Sequence, residues 1–208
     1  MRIIDFPQGS AEWLASRAGK VTASRVADVM AKIKTGEAAA RRDYKAQIVA
    51  EILTGMPQAD SYINAEMQFG IDTEPLARAA YEAETGAIVE QVGLVQHPTI
   101  DRAAASPDGL VEASGLVEIK CPKVATHLTY LLDGVAPAKY QPQMLWQMAC
   151  CEREWCDFAS FRPDLPPELQ LFVVRFPRDN KRIQEMEAEV VVFLSEVDEL
   201  LTKLRERK

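Results

Sequence analysis

The period of the hydrophobic pattern changes repeatedly along the chain, and these changes restrict its fold more than any other feature. Helical spacing of apolar residues alternates with runs rich in β-branched residues. The predicted helices lie at 22–36, 37–54, 64–85 (one helix, or two with Pro75 starting the second), 123–132, 139–152 and 180–205, and the predicted strands at 87–96, 116–121, 155–161 and 169–176. This order predicts an α+β or mixed α/β fold, with a central mixed β-sheet flanked by helices.

Length and composition fit a single domain. The 208 residues are 48% hydrophobic and 26% charged, which excludes a disordered or low-complexity chain. We divide the domain 1–208 into an N-terminal helical region (1–60), a core (61–178) and a C-terminal helix (179–208). No apolar run reaches the roughly 18 residues of a membrane span, and Met1–Gly9 lacks a signal-peptide pattern, so a cytoplasmic location is expected.

The charge is unevenly distributed along the chain. A net charge of −7 argues by itself against a nucleic-acid partner. However, residues 1–50 contain nine basic and five acidic residues, whereas residues 51–100 contain one basic and eight acidic residues. This distribution indicates that the N-terminal quarter meets an anion, although a random division of charges over exposed helices explains it equally well.

The four cysteines, Cys121, Cys150, Cys151 and Cys156, lack the paired C-x-x-C spacing of a zinc or iron–sulfur site. Cys150 and Cys151 would point about 100° apart on a helix, which makes them poor joint ligands. We therefore expect buried free thiols. With only two histidines in the chain, histidine-based hydrolytic sites are also poorly supplied.

One short strand carries the strongest chemical signal. Glu118 and Lys120 are two residues apart, so their side chains project from the same face, while Ile119 points to the core. Asp108 begins the preceding strand, and a hairpin through 113–115 would bring it beside Glu118. Two converging carboxylates, with the Ile119 carbonyl, suit a hard cation such as Mg²⁺. An exposed hairpin with an ordinary Glu–Lys pair explains this spacing as well.

Longer motifs around this strand carry a family resemblance. Pro107-Asp108 followed by Glu118-Ile119-Lys120 resembles the PD-(D/E)xK nuclease signature, which implies a restriction-endonuclease-like core. The full stretch 106–122, Ser-Pro-Asp-Gly…Glu-Ile-Lys-Cys-Pro, is similar to the phage lambda exonuclease family, also called YqaJ-type viral recombinases. The similarity continues in residues 12–24 (Trp-x₃-Arg-x-Gly-x-(Ile/Val)-Thr-Ala-Ser), 70–74 (Gly-x₃-Glu) and 140–163.

The resemblance implies a two-metal centre. Asp108 and Glu118 would bind one Mg²⁺ with help from the Ile119 carbonyl, and Glu74 with Asp108 would bind a second. Mn²⁺ is an expected substitute for Mg²⁺. Lys120 would activate the attacking water. Glu74 has an alternative explanation as a first-turn glutamate favoured by the helix dipole.

The resemblance also implies a pocket for a terminal 5′-phosphate, formed by Arg17, Ser24 and Ser106. Arginine binds phosphate through two parallel hydrogen bonds, and Ser24 lies in the first turn of a predicted helix, where free N–H groups favour an anion. Two simpler explanations remain: Arg17 packs its stem on Trp13, and Ser24 belongs to a helix cap formed by Thr22.

The resemblance also implies that Gln143 helps to position the attacking water, by its place in the downstream motif. Gln147 lies on the same helix face and could serve instead. The implied function is a Mg²⁺-dependent 5′→3′ exodeoxyribonuclease of phage or prophage origin in a bacterial host. It would digest one strand of linear double-stranded DNA to mononucleotides and leave 3′ single strands for recombination. The resemblance further implies a ring-shaped homotrimer and a single-strand annealing protein as partner.

Three other functions remain open. A Cas4-like iron–sulfur nuclease would use the four cysteines, and bound iron with visible absorbance would identify it. A catalytically silent DNA-end-binding protein would keep the fold and bind ends without releasing nucleotides. A restriction-type endonuclease would cut closed circular DNA.

Overall fold

The computed structural model describes residues 1–58 and 64–207. Within these residues the helices are α1 (Ala11–Arg17), α2 (Val26–Val29), α3 (Ala39–Thr54), α4 (Ala65–Thr85), α5 (Val124–Asp133), α6 (Gln141–Cys151), α7 (Pro167–Gln170) and α8 (Asn180–Arg205). The strands are β1 (Arg2–Ile4), β2 (Val21–Thr22), β3 (Val89–Glu90), β4 (Leu94–Gln96), β5 (Ala103–Ala105), β6 (Gly109–Val111), β7 (Gly115–Lys120), β8 (Trp155–Phe161) and β9 (Leu171–Pro177).

The strands form two mixed sheets flanked by helices, which confirms the predicted fold class and replaces one central sheet by two. The smaller sheet has the order β1-β4-β5-β2 and the larger one the order β3-β6-β7-β8-β9. In the larger sheet β7 lies between antiparallel β6 and parallel β8. A parallel neighbour requires a crossover connection, which α5 and α6 supply.

Two glycines are needed where strands of the larger sheet meet other side chains. A Cβ added to Gly115 would lie 2.1 Å from the Trp155 ring, and one added to Gly109 would lie 2.0 Å from Val89 Cγ1. Any larger residue at either position would force the Trp155 ring or the Val89 side chain to move. The hairpin that carries the predicted catalytic residues therefore depends on both glycines.

Helix α6 lies at the centre of the main core. Eight of its 11 residues are buried, including Trp146, which is fully enclosed. The core cluster around it includes Tyr44 from α3 and Phe193 from α8, whose rings stack with centroids 5.7 Å apart. A helix buried on most sides has a fixed position and rotation, so α6 is a rigid support for the polar side chains it carries.

Two predicted elements differ from the structure. The helix predicted at 22–36 is only a 3₁₀ turn (Ala23–Arg25) followed by α2. Beyond it, Met30 packs against the core but Ile33 is 56% exposed, so the apolar stripe does not continue far enough to hold a further turn. The strand predicted at 87–96 is split between the two sheets as β3 and β4.

The helix predicted at 64–85 is a single helix that passes through Pro75. Pro75 and Ile71, four residues earlier, are exposed, so water can satisfy the Ile71 carbonyl that Pro75 leaves without a donor. The strand 155–161 and the helix 180–205 have the predicted bounds. Among the described residues, no helix combines the length and apolar character needed to cross a lipid bilayer.

The N-terminal sixty residues contribute strands as well as helices. Strand β1 pairs with β4, and β2 runs parallel to β5. The smaller sheet thus joins the region 1–60 to the region 61–178, while α8 packs on α3 and α6. The proposed division of the domain at these boundaries stays a prediction.

Candidate active site

The hairpin of β6 and β7 brings two carboxylates together as predicted. Gly109 pairs with Val117, so Asp108 lies beside the outer end of β7. Its Oδ2 accepts a hydrogen bond of 2.6 Å from the Ile119 amide. Glu118 is fully buried. Burial raises the pKa of Asp108 well above its ordinary value, and the negative charge of Glu118 raises it further.

Lys120 lies on the same face of β7 as Glu118. Its Nζ donates to Glu118 Oε1 and lies 5.3 Å from the centre of the Tyr140 ring. Burial disfavours its charge, but the carboxylates of Glu118 and Asp108 more than offset this, and the pKa of Lys120 is raised. Lys120 is therefore a stable cation in the neighbourhood of two acids.

Helix α6 presents two glutamines to the same carboxylate. Gln143 Nε2 donates to Glu118 Oε1 at 2.7 Å, and Gln147 Nε2 donates to Glu118 Oε2 at 2.6 Å. The sequence favoured Gln143 and left Gln147 as an alternative, and the structure places both at the site. Gln147 is fully buried, and its own Oε1 accepts no hydrogen bond.

Glu74 lines the same cleft as Ile119 and Lys120, and its charge contributes to the raised pKa of Asp108. It lies inside α4, well beyond the first turn, so an interaction with the helix dipole does not explain it. Its carboxylate forms an ion pair of 2.6 Å with Arg78, one turn later. This pair holds Glu74 in a defined position at the cleft wall.

The oxygen atoms gathered here are of the kind that Mg²⁺ prefers. Glu74, Asp108 and Glu118 supply three carboxylates to this neighbourhood, and the pKa of Asp108 is raised by its burial and by the charges of Glu118 and Glu74. As arranged, both oxygens of Glu118 are taken by Lys120 and the two glutamines. Across residues 1–58 and 64–207, no three His, Cys, Asp or Glu side chains lie close enough to hold a metal ion in this arrangement.

The three residues predicted to bind phosphate lie together. Arg17, Ser24 and Ser106 line a cavity of about 160 Å³, which we call the phosphate pocket, and Gln143 lines it as well. Arg17 Nη2 is 3.4 Å from Ser24 Oγ, and Trp13 Nε1 donates to Ser106 Oγ at 3.0 Å. The pocket thus joins the N-terminal region to the strand end that leads to Asp108.

Both simpler explanations of this pocket were tested by the structure. The Arg17 guanidinium does lie 4.0 Å from the centre of the Trp13 ring. The same side chain also lines the cavity with Ser24 and Ser106, so its packing on the ring does not exclude a place in the pocket. Thr22 makes no side-chain capping hydrogen bond, and Ser24 belongs to the 3₁₀ turn that follows it. The capping explanation of Ser24 is therefore wrong.

The cleft that Glu74, Ile119 and Lys120 line has a volume of about 770 Å³. Its walls include Phe69, Lys139, Tyr140 and Arg162, and Arg162 stacks over the Phe69 ring at 4.4 Å. Of these four residues, Tyr140 and Arg162 lie within the motif segment 140–163, whereas Phe69 and Lys139 lie outside the recognised motifs. Phe69 and Arg162 are far apart in sequence, and no local pattern connected one to the other.

The cysteines are free, and three of the four are buried. Burial raises the pKa of Cys150 and Cys156, which disfavours the thiolate form. This agrees with the expectation of buried thiols.

Comparison with known proteins gives a consistent result. The model of the YqaJ-like viral recombinase domain matches residues 12–154. The crystal structure of an alkaline exonuclease, LHK-Exo, from Laribacter hongkongensis is 48% identical, with a TM-score of 0.88 over 95% of this chain and 97% of that one. LHK-Exo in complex with dAMP gives 47% identity and a TM-score of 0.89, with the same coverage. No curated protein matches the chain.

A more distant structure shares the fold alone. A phage-related exonuclease from Haemophilus somnus 129PT is 16% identical, with a TM-score of 0.72 over 89% of this chain and 96% of that one. The family match covers well over half of the chain, and it contains every predicted site residue from Arg17 to Gln143. The chain therefore belongs to the YqaJ-like viral recombinase family.

Proposed function

We propose that this protein is a Mg²⁺-dependent exodeoxyribonuclease that digests one strand of linear double-stranded DNA in the 5′→3′ direction. The exonuclease class follows from the family and from the 48% identity to an alkaline exonuclease. Its products would be mononucleotides and a 3′ single strand, as phage-type recombination by strand annealing requires.

One observation carries the proposed polarity. Gln143 lines the phosphate pocket, and it also donates to Glu118 of the carboxylate centre, the name we use for Glu74, Asp108, Glu118 and Lys120. Ser106 and Asp108 connect the same two places along the chain, because they are at most about 7 Å of extended backbone apart. A 5′-phosphate bound by Arg17 and Ser24 would therefore place the next phosphodiester at Asp108 and Glu118. Binding the end and cutting the next bond would be one event.

The side chains have separate tasks in this reaction. Bound Mg²⁺ would polarise the phosphate and lower the pKa of the attacking water. Asp108, Glu118, Glu74 and the Ile119 carbonyl would hold the two metal ions, and Mn²⁺ would replace them. Lys120 keeps its proton beside the acids, so it would favour the attacking hydroxide by its charge.

A ring-shaped homotrimer and a single-strand annealing protein are the proposed partners. The sequence contains no Gly-x₄-Gly-Lys nucleotide-binding loop. Processive digestion would then depend on enclosure of the DNA and on the energy of hydrolysis. We place this activity in the cytoplasm of a bacterial host.

The test is digestion of linear duplexes with 5′-phosphate or 5′-hydroxyl ends, beside a closed circle, with Mg²⁺, Mn²⁺ or a chelator. We expect mononucleotides from the linear DNA, a strong preference for the 5′-phosphate end, and no activity with the chelator. Binding without release of nucleotides would identify an end-binding protein, and cutting of the circle would identify an endonuclease. Bound iron with visible absorbance would identify an iron–sulfur nuclease.

A further inference from the structure

The phosphate pocket continues behind Arg17. Arg17, Thr22 and Ser24 also line a second cavity of about 280 Å³, which we call the rear cavity. Its walls include Ala18 and Lys20, but neither Ser106 nor Gln143. The rear cavity therefore lies on the side of the phosphate pocket away from the catalytic carboxylates.

The rear cavity is cationic. Arg17, Lys20 and Arg25 line it together with one carboxylate, that of Glu51. Glu51 is already used by neutral donors: its oxygens accept hydrogen bonds from the Gly19 amide at 2.8 Å and from Gln47 Nε2 at 2.9 Å. Arg25 is paired with Asp28 at 2.5 Å, so Arg17 and Lys20 against Glu51 leave one positive charge. Their N–H groups can donate to the hydroxyl and base oxygens of a polar occupant.

The Lys20 ammonium has hydrogen-bond donors that the described residues do not use. Its Nζ donates to the Ser16 carbonyl at 2.6 Å, and no carboxylate among the described residues forms an ion pair with it. Burial lowers the pKa of Lys20, and the charge of Arg2 lowers it further, so an anion would stabilise the ammonium. Lys20 is therefore the residue by which the rear cavity can be tested separately.

The two cavities differ in the size of group they accept. Small-molecule pockets usually measure about 300–1,000 Å³. The rear cavity, at about 280 Å³, approaches this range, whereas the phosphate pocket, at about 160 Å³, does not. The smaller cavity suits one phosphate group, and the larger one suits a single nucleoside attached to it.

Resting on the proposed exonuclease activity, we propose that the rear cavity binds the first nucleoside of a strand that lacks a 5′-phosphate. The first internal phosphodiester would then occupy the phosphate pocket in place of the terminal phosphate. The second phosphodiester would lie at Asp108 and Glu118. A strand with a 5′-hydroxyl end would therefore be cut one bond further along than a phosphorylated strand.

The bond changes give a distinctive product. Water attacks the phosphorus of the second phosphodiester, and the bond to the 3′ oxygen of the second nucleotide breaks. That oxygen takes a proton and leaves as the 3′-hydroxyl of a dinucleoside monophosphate. The shortened strand keeps the new 5′-phosphate, so every later cut releases a mononucleotide.

The experiment uses a duplex with ³²P in the first internal phosphodiester and either a 5′-hydroxyl or a 5′-phosphate end. We expect the first labelled product from the 5′-hydroxyl end to be a dinucleoside monophosphate. A labelled mononucleotide as the first labelled product would mean that an unlabelled nucleoside had left before it, and this would overturn the inference. So would an intact 5′-hydroxyl strand in a reaction that degrades the 5′-phosphate strand. Failure to degrade either strand would instead overturn the proposed function.

Two variants test the cavity itself. Lys20→Gln removes its charge and Ala18→Leu fills it. Each should slow dinucleoside release about tenfold, the loss of one charge-assisted hydrogen bond or of the space, while changing the rate on 5′-phosphate ends by less than about twofold. Lys181→Gln, at an exposed position of α8, is the matched control and should change neither rate. Equal losses on both ends with either variant would contradict a separate role for the rear cavity.

Discussion

The carboxylate centre and the phosphate pocket are adjacent, yet they are built very differently. The centre is formed by the middle strand of the larger sheet and by α6, and Glu118 there is fully buried. The pocket is formed by a seven-residue helix and a 3₁₀ turn, and its Arg17–Ser24 contact is 3.4 Å long. In the proposed reaction, the chemistry would thus lie on the buried part of the fold, and selection of the DNA end would lie on short elements near its surface.

The largest effect is expected from Lys120→Ala, which removes the only cation that pairs with Glu118 among residues 1–58 and 64–207. Loss of this charge should reduce kcat by at least about 10²–10³-fold. DNA binding in the presence of Mg²⁺ should persist, as measured by a mobility-shift assay. Lys181→Ala is the control for loss of a surface charge. A Lys120→Ala enzyme that retains most of its activity would remove this lysine from the mechanism.

The next effect is expected from Gln147→Met, which keeps the size of the side chain but removes the donor to Glu118 Oε2. Groups that orient metal ligands are typically worth about 10–100-fold in metal affinity or activity. We expect the Mg²⁺ concentration for half-maximal cleavage to rise by that factor. The rise in melting temperature caused by Mn²⁺ should also shrink.

Gln184→Met, on the exposed side of α8, controls for loss of an amide elsewhere. Measuring Gln147→Met in a Glu118→Gln background separates an effect on the orientation of Glu118 from an effect on the packing of the core. If Gln147 acts through Glu118, its substitution there adds little. An unchanged loss in that background would show that Gln147 serves only the core.

A smaller and more selective effect is expected from Arg17→Ala. The ratio of rates on 5′-phosphate and 5′-hydroxyl ends should fall about tenfold, because one charged bidentate contact is lost. The rate on 5′-hydroxyl ends should fall less, because the internal phosphodiester that would then fill the pocket carries one negative charge, whereas a terminal phosphate carries about 1.5 to 2. Arg42→Ala, at an exposed position of α3, should leave the ratio unchanged. Equal losses on both ends would place Arg17 in the chemistry instead of in end selection.

The smallest effect concerns a buried titratable group outside both regions. His97 stacks on Trp146, with ring centroids 5.2 Å apart, and its Nε2 lies 3.2 Å from Glu187. Burial lowers the pKa of His97 below its ordinary value near 6.5, and Arg178 lowers it too, although Glu187 and Glu152 oppose this. The folded protein therefore binds fewer protons here than the unfolded chain as the pH falls below about 6.5.

The contribution of His97 to stability is thus present above pH ~6.5 and is lost as the pH falls toward its lowered folded pKa. The loss is at most about 1.4 kcal/mol per pH unit. Urea unfolding at pH 7.5 and 5.5 should show a smaller pH effect for His97→Gln than for the unsubstituted protein. The carboxyl groups contribute equally to the pH dependence of unfolding in both proteins, so their contribution cancels when the two are compared. An identical pH dependence for both would contradict the assignment.

The carboxylate centre was easier to predict from sequence than the phosphate pocket. The hairpin of Asp108, Glu118 and Lys120 has strong turn residues at 106–109 and 113–115, and the strand 155–161 ends just before Pro163. By contrast, the helix predicted at 22–36 failed because helical spacing in a short polar segment cannot overcome the cost of starting a helix.

Contacts between distant segments were beyond local patterns. Gly93 lies where the strand predicted at 87–96 divides. A Cβ there would lie 2.3 Å from the carbonyl oxygen of Ile4 in β1, which pairs with β4 in the smaller sheet. The stacking of Arg162 on Phe69 likewise depends on the assembled fold and leaves no trace in the spacing of neighbouring residues. The four-residue spacing of Gln143 and Gln147, by contrast, placed both on one helix face.

The position of Gln143, with one side chain serving both regions, has a consequence for redesign. The Arg17 side of the pocket can vary while the cutting step is preserved, because it contacts Glu118 nowhere. Changes at Gln143 alter recognition and turnover together. An engineer who wants a different end preference should therefore diversify the N-terminal segment and keep α6 constant, and natural divergence in this family is expected to follow the same path.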